Sequence, residues 1–110
     1  MKRGEIYYIN SYKAATGSEQ SSNRPAIIVS NDINNLHSTT VEVVYLTTKP
    51  KKCLPTHVSI SSATLPSTAL CEQVTTVSTT RLQKLLGECS PEEMEAVNKA
   101  MMISLGIEVV

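Results

Sequence analysis

Arg24 is the residue of this sequence best suited to hold a phosphate group. It follows a polar segment, residues 11–23, that is rich in Ser, Thr, Gly and Ala, and it precedes the apolar run Pro25–Val29. A guanidinium group stays charged and donates two parallel hydrogen bonds, which suits a phosphodiester. A structural ion pair between Arg24 and Glu19 is an equally good interpretation of the same residues. The spacing alone leaves both interpretations open.

A second polar group lies at Thr47-Thr48-Lys49, where an apolar run ends. Side chains at the end of a strand can emerge from a sheet, and two hydroxyl groups with an ammonium group could meet a phosphodiester there. An ordinary strand end is nevertheless the better interpretation of the spacing by itself. We therefore treat these three residues as candidates that need a second observation.

The histidines and cysteines are less suggestive of catalysis. His37 and His57 could form an acid–base pair for RNA cleavage, but solvation or local hydrogen bonding is the favoured interpretation of both. Cys53, Cys71 and Cys89 form no C-x-x-C pair, and their odd number is typical of reduced, mostly buried thiols. A catalytic cysteine stays open as a minor alternative. No closely spaced ligand cluster or phosphate-cradling glycine loop is visible, so we expect no metal and no cofactor.

Five runs rich in β-branched residues must position these side chains. Pro25 should open the second of them, because proline cannot donate a hydrogen bond within a β-ladder. Between the runs, Asn31–Asn35 is interpreted as a polar connection and Lys49–Lys52 as a short basic turn. The runs predict strands over Glu5–Ile9, Pro25–Val29, Val41–Thr47, His57–Ile60 and Ala69–Val77.

The end of the chain predicts a helix. Ser90-Pro91-Glu92-Glu93 supplies an N-cap serine, a first-turn proline and a capping-box glutamate, and Gly106 is a plausible end. A shorter helical turn is predicted around Thr80–Leu86. Together the elements predict a mainly β domain with a C-terminal helix, in the form of a small, partly open barrel or a curled sheet. One helix face is expected to pack on the sheet through Met94, Val97, Met101 and Leu105.

The composition indicates one small globular domain over residues 1–110. The charges cancel overall, but residues 1–84 carry a net charge of +4 and residues 85–110 a net charge of −4. A polyanionic partner is therefore expected on the body of the chain. The chain has no Trp, no Phe and only four Tyr, which excludes a broad aromatic platform for stacking bases. No run is long enough for a membrane span or a signal peptide, so we expect a cytoplasmic protein without membrane contact.

An ordered series of short motifs covers essentially the whole chain. It comprises Arg3–Tyr8, Gly17–Gln20, Arg24–Val29, Asn31-Asp32, Leu46–Lys49, Leu54–Ile60, Leu70–Val74 and Val97–Gly106. In this order and at this spacing, the motifs resemble the MazF/PemK family of toxin endoribonucleases, and in particular its Gram-positive branch. Three features depart from the family pattern: Ser21-Ser22 replace a frequent Gly-Gly, Thr75 stands where a basic residue is common, and the segment of residues 61–67 is shorter than usual.

The resemblance implies a compact SH3-like, partly open β-barrel with a terminal helix, working as a homodimer. It implies metal-independent, sequence-specific cleavage of single-stranded RNA, and a cognate MazE-like antitoxin that blocks the RNA groove. DNA would be contacted only through the antitoxin. The catalytic residues of the family fall on Arg24 and Thr47. The RNA-binding residues are expected at Glu19, Gln20, Asn31, Thr48, Lys49, His57 and Gln73.

The chemistry of these residues agrees with the implied reaction. The substrate's own 2′-hydroxyl would attack the adjacent phosphorus, and Arg24 would stabilise the extra charge and take part in proton transfer while Thr47 holds the phosphate. Lys49, Lys51 and Lys52 would attract the RNA backbone, and Gln73 and Asn31 would read unstacked bases. Two alternatives stay open. One is a CcdB-like toxin of the same fold that poisons DNA gyrase by binding, and the other is an inactive small-barrel binding module.

Overall fold

The computed structural model describes residues 1–10, 23–49 and 51–108, which form one antiparallel sheet of six strands with two α-helices. The elements in chain order are β1 (Glu5–Ile9), β2 (Arg24–Ile28), α1 (Asp32–His37), β3 (Thr40–Thr47), β4 (His57–Ile60), β5 (Ser67–Ser78), a 3₁₀ turn (Thr79–Arg81), β6 (Leu82–Glu88) and α2 (Pro91–Leu105). In space the strands follow the order β4-β5-β3-β2-β1-β6. No helix among these residues is long and apolar enough to cross a bilayer. The mainly β fold with a C-terminal helix is thus confirmed.

The five predicted strands are all present, and the first and fourth have the predicted bounds. The prediction that Pro25 opens β2 is wrong by one residue, because Arg24 is the first residue of the strand and pairs with Ile9 of β1. Pro25 comes second and stands opposite Tyr8. Arg24 is therefore held by a ladder, with its backbone direction set by pairing rather than by the preceding segment.

The stretch Asn31–Asn35, predicted as a connection, instead begins helix α1. The side chain of Asn31 caps the helix by accepting a hydrogen bond from the Asn34 backbone N–H at 2.8 Å. Asn35 is buried, and its side-chain amide donates to the Ser30 carbonyl at 2.9 Å. These two side-chain bonds offset the weak intrinsic helix propensity of asparagine. His37, predicted in a polar loop, is the last residue of α1.

The predicted helical turn over Thr80–Leu86 is wrong beyond its first residues. A single 3₁₀ turn covers Thr79–Arg81, and the chain then continues as strand β6, which pairs with β1. The leucines of β6 follow a helical spacing of three and four residues, which explains the misinterpretation. Pairing with β1, a contact distant in sequence, determines the strand conformation.

Helix α2 begins and ends as predicted. Ser90 and Glu93 form the full capping box, and Gly106 ends the helix in the left-handed conformation with φ of 71°. Val97 is fully buried, and Met94 and Met101 pack against the core. Leu105 was expected on the same packed face but is 60% exposed. The helix therefore extends about one turn beyond the sheet that it covers.

Alternating strand residues fill two apolar clusters on the two faces of the sheet. The α2 side contains Ile6, Ile27, Val44, Leu46, Ile60, Cys71, Val97 and Ala100, and the opposite side contains Ile9, Ala26, Ile28, Val41, Val43 and Val77. The sheet curls so that β6 approaches the connection after β4: a Cβ on Gly87 would lie only 2.5 Å from the Ser62 carbonyl oxygen. This position therefore requires glycine, and the curl brings the ends of β1, β2 and β3 toward the β4–β5 connection.

Candidate active site

Arg24 is the first residue of β2 and Thr47 is the last residue of β3, at the same end of two paired antiparallel strands. In the β2–β3 ladder Ala26 pairs with Tyr45 and Ile27 with Val44. The ladder ends at Ala26 and Tyr45, and Arg24 and Thr47 lie two residues beyond this pair, so each follows its face of the strand. Directly opposed residues project from the same face of a sheet. The two predicted catalytic side chains thus share a face, on the side of the sheet away from α2.

A groove of about 360 Å³ opens at this point. Its polar lining contains Arg24, Thr47, Thr48, Lys49, Lys51 and Gln73, and its apolar lining contains Pro25, Leu46 and Leu70. The groove unites both predicted catalytic residues with three of the predicted RNA-binding residues. Three cationic and three neutral polar side chains line it, and no acidic side chain does among the residues that the structure describes, which favours an anionic ligand.

Among the described residues, the Thr47 hydroxyl accepts one hydrogen bond and donates none. Its Oγ1 accepts a hydrogen bond from the backbone N–H of Lys49 at 3.2 Å. This bond occupies a lone pair of the hydroxyl and turns the chain after β3, while the hydroxyl proton is left to donate elsewhere. Thr47 can therefore donate to a ligand in the groove from a fixed position.

Gln73 reaches the groove because β5 is irregular in its middle. Val44 pairs with Val74 whereas Leu46 pairs with Ala69, so four residues of β5 face the single residue Tyr45 of β3. Such a bulge bends the strand and redirects its side chains. Here it brings Leu70 and Gln73, from the two ends of the bulge, to the wall of one groove.

Tyr45 is the member of the site that the sequence analysis missed. The Arg24 guanidinium lies 4.6 Å from the centroid of the Tyr45 ring, which is a cation–π contact. Tyr45 lies two residues before Thr47 and so faces the same side of β3. That period-of-two spacing was visible in the sequence, but the pairing of β2 with β3 was not.

His57 lies beside the groove, and its ring is occupied by other partners. Nδ1 is 2.7 Å from the Lys52 carbonyl oxygen, and Nε2 is 3.0 Å from a carboxylate oxygen of Glu72. A backbone carbonyl and a carboxylate both accept hydrogen bonds, so the imidazolium form, in which both ring nitrogens donate, satisfies both contacts. The hydrogen bonds from His57 to Lys52 and Glu72 accordingly raise the pKa of His57. His57 thus ties the basic segment to β5, and it does not pair with His37, which ends α1.

The remaining predicted site residues lie elsewhere. Asn31 caps α1 beyond the far end of β2, so at least the length of that strand, roughly 13 Å, separates it from Arg24. Glu19 and Gln20 fall outside the described residues, as do Ser21 and Ser22. The proposed ion pair of Arg24 with Glu19 therefore stays a prediction.

The cysteines show no sign of activation. Cys71 and Cys89 are buried, and burial raises the pKa of their thiols to about 11 and about 12, with further increases from neighbouring glutamates. Cys53 is exposed. Across residues 1–10, 23–49 and 51–108, no group of three or more His, Cys, Asp or Glu side chains could hold a metal ion.

Comparisons with known proteins agree with this arrangement. The profile of the PemK-like, MazF-like toxins of type II toxin–antitoxin systems matches residues 2–105. An endoribonuclease MazF of Staphylococcus saprophyticus is 36% identical over 115 positions, which cover 100% of this chain and 95% of that protein.

Solved structures give the same result for the fold. An endoribonuclease from a Mycobacterial species, solved in complex with its cognate antitoxin, superimposes with a TM-score of 0.84 at 29% identity, covering 100% of this chain and 99% of that one. MazF from Deinococcus radiodurans gives a TM-score of 0.80 at 19% identity over 96% of both chains, which is a likeness of fold. The chain therefore belongs to the PemK-like, MazF-like family of toxins of type II toxin–antitoxin systems.

Proposed function

We propose that this chain is a toxin endoribonuclease that cleaves single-stranded RNA at specific sequences without a metal ion. The observation that carries the proposal is that Arg24 and Thr47, at the same end of the paired strands β2 and β3, line one groove whose charged side chains are cationic. Family membership supports the same reaction, because the Staphylococcus relative is an endoribonuclease.

The reaction uses the 2′-hydroxyl of the substrate as the nucleophile. As the O2′–P bond forms, the bond from phosphorus to O5′ breaks, one proton leaves O2′ and one proton reaches O5′. The products are a 2′,3′-cyclic phosphate and a 5′-hydroxyl end. Negative charge accumulates on the non-bridging oxygens in the transition state, so fixed donors aimed at these oxygens accelerate the reaction.

Five polar residues of the groove have a part in this scheme. Arg24 donates charge-assisted hydrogen bonds to the non-bridging oxygens, because an arginine side chain stays protonated in proteins and its fork fits a phosphate. Arg24 also takes part in proton transfer. This is the smaller part of its role, because a guanidinium group releases its proton with difficulty. Thr47 donates its hydroxyl hydrogen to the phosphate and fixes its position. Lys49 and Lys51 attract the neighbouring phosphates, and Gln73 reads the edge of an unstacked base.

The biological setting follows from the family. The Mycobacterial relative was solved with its cognate antitoxin, and we propose that an acidic MazE-like antitoxin segment likewise blocks the cationic groove of this chain. We propose further that the chain is a single domain and works as a homodimer. It acts in the cytoplasm, where its RNA substrate is found, and it contacts DNA only through the antitoxin.

Cleavage of end-labelled RNA tests the proposal. Purified wild-type protein should cut a long RNA at a defined sequence with EDTA present, and primer extension and end analysis should find 5′-hydroxyl and cyclic phosphate ends. Arg24→Ala should abolish cleavage, whereas Lys84→Ala, which removes one exposed positive charge from β6, should not. Intact RNA with the wild-type protein would contradict the proposal and favour the gyrase-binding or inactive alternative. Cleavage by Arg24→Ala would remove Arg24 from the reaction.

A further inference from the structure

The groove continues into a second pocket with mostly apolar walls. This pocket has a volume of about 380 Å³, within the range of roughly 300–1,000 Å³ that is usual for small-ligand sites. Pro25 and Thr48 line both the pocket and the groove, so the two spaces adjoin at the residues next to Arg24 and Thr47. The other walls of the pocket include Tyr8, Ala63, Leu65 and Leu86.

The apolar walls come from four separate parts of the fold. Tyr8 of β1 stands directly opposite Pro25 of β2, Leu86 belongs to β6, and Leu65 lies in the connection between β4 and β5. Tyr8 is 38% exposed and Leu65 is 60% exposed. Large apolar side chains exposed around a concavity are typical of ligand-binding grooves and of protein interfaces.

The wall formed by the β4–β5 connection is held in place. The Glu93 carboxylate of α2 accepts hydrogen bonds from the backbone N–H groups of Ser61 at 2.7 Å and Ser62 at 3.3 Å, and from the Ser62 hydroxyl. Closer to the pocket, the buried Ser67 hydroxyl donates to the Leu65 carbonyl oxygen at 2.8 Å. A preformed wall of this kind loses little conformational entropy when a ligand binds.

We propose that this pocket binds one unstacked nucleobase of the RNA, the base attached to a nucleotide that flanks the phosphate held by Arg24 and Thr47. This inference rests on the proposed function. A strand whose phosphate lies in the groove brings its neighbouring base to the shared wall at Pro25 and Thr48. A base has apolar faces and a polar edge, and the pocket offers apolar walls with hydroxyl groups at Thr48, Thr64 and Ser67.

Abasic RNA combined with a wall mutation tests the pocket directly. The substrates are a cleavable oligoribonucleotide and versions in which each nucleotide flanking the cut is made abasic in turn, which removes the base but keeps the phosphate and the 2′-hydroxyl. The enzymes are the wild type, Leu65→Ser, and Leu85→Ser as the matched control. Leu85 is 49% exposed on β6 and does not line the pocket.

Leu65→Ser should raise KM on intact RNA roughly fivefold or more, as expected for loss of part of a base contact, while Leu85→Ser changes KM less than twofold. On RNA that is abasic at one flanking position, the wild type should show the same loss and Leu65→Ser should add nothing to it. Equal effects of Leu65→Ser on intact RNA and on every abasic RNA would overturn the proposal. A change in the oligomeric state of Leu65→Ser in solution would also overturn the proposal, because it would show that Leu65 contacts a second copy of the chain. If the wild type cleaves no RNA, the proposed function itself fails.

Discussion

Arg24 and Thr47 line one groove, and each lies two residues beyond Ala26 and Tyr45, the last pair of the ladder between β2 and β3. Because both side chains line the same groove, both can contact one phosphate group that lies in it. Both residues belong to strands, Arg24 to β2 and Thr47 to β3. A site on paired strands holds its geometry more firmly than a site on loops.

Replacing Thr47 with valine should lower kcat by roughly 10- to 100-fold, because valine keeps the shape but cannot donate to the phosphate. Thr68 provides the matched control. Thr68 belongs to β5, the other strand next to β3, where it pairs with Thr47. It does not line the groove that contains Arg24. Thr68→Val should cleave at close to the wild-type rate in single-turnover assays. An unchanged rate in Thr47→Val would instead move the phosphate contact to Thr48.

Tyr45 should matter through its ring and not through its hydroxyl. A cation–π contact of this kind is worth about 0.5–2 kcal/mol, so Tyr45→Leu should lower kcat by roughly 2- to 30-fold with little change in KM. Tyr45→Phe should retain the wild-type rate. In an Arg24→Ala background, Tyr45→Leu should have no further effect on RNA affinity. Loss of activity in Tyr45→Phe would show that the hydroxyl group acts directly.

Local rules explain which elements could be predicted from the sequence. The capping box at Ser90 and the run Glu5–Ile9 depend on neighbouring residues, and both were found where they were expected. Strand β6 was missed because only its pairing with the distant β1 makes it a strand. Helix α1 was missed because hydrogen bonds from the side chains of Asn31 and Asn35 stabilise it. The polar composition of this segment is equally typical of a loop.

The residues of the site likewise divide into those that residue type reveals and those whose position depends on distant contacts. The groups suited to a phosphate, Arg24 and Thr47, were recognisable from residue type and motif. Their meeting in one groove depends on the pairing of β2 with β3, and the position of Gln73 depends on a bulge in β5. Asn31 was expected to read bases but lies beyond the far end of β2, because the chain turns into α1 there. Pairing between distant segments decides these positions, and no short window of sequence contains it.

The His57–Glu72 pair should make stability depend on pH near neutrality. The pKa of His57 is raised, so its contribution is complete below the ordinary value of 6.5 and is lost as pH rises through the higher, folded-state pKa. We expect the free energy of unfolding to fall by about 1 kcal/mol over this range in the wild type and not in His57→Gln. Urea titrations at pH 6 and pH 9 measure the free energy of unfolding of both proteins. Parallel pH profiles of the two proteins would show that the pair adds nothing.

Glu93 should stabilise the fold through the connection between β4 and β5. Burial alone would raise the pKa of Glu93, but hydrogen bonds from Ser62, Ser90 and Ser61 outweigh burial and lower the pKa to about 2 from the ordinary 4.5. The contribution is therefore present above pH 4.5 and is lost as pH falls toward 2. At pH 7, Glu93→Gln should reduce the free energy of unfolding by roughly 1–3 kcal/mol, since an amide replaces a charged acceptor.

Urea titrations measure this change in the free energy of unfolding, and Glu92 supplies the control. Glu92 is exposed in the same first turn of α2 and carries the same charge. Glu92→Gln removes an equal interaction with the helix dipole, worth about 0.3–1 kcal/mol, without touching the connection. The difference between the two variants therefore reports the hydrogen bonds that Glu93 accepts from Ser61, Ser62 and the Ser90 backbone, and it should shrink as the pH approaches 2. Equal destabilisation by the two variants would mean that the dipole, and not the connection, accounts for the effect. Only a contribution from the connection should also raise KM for RNA, because Ala63, Thr64 and Leu65 of the connection form a wall of the apolar pocket.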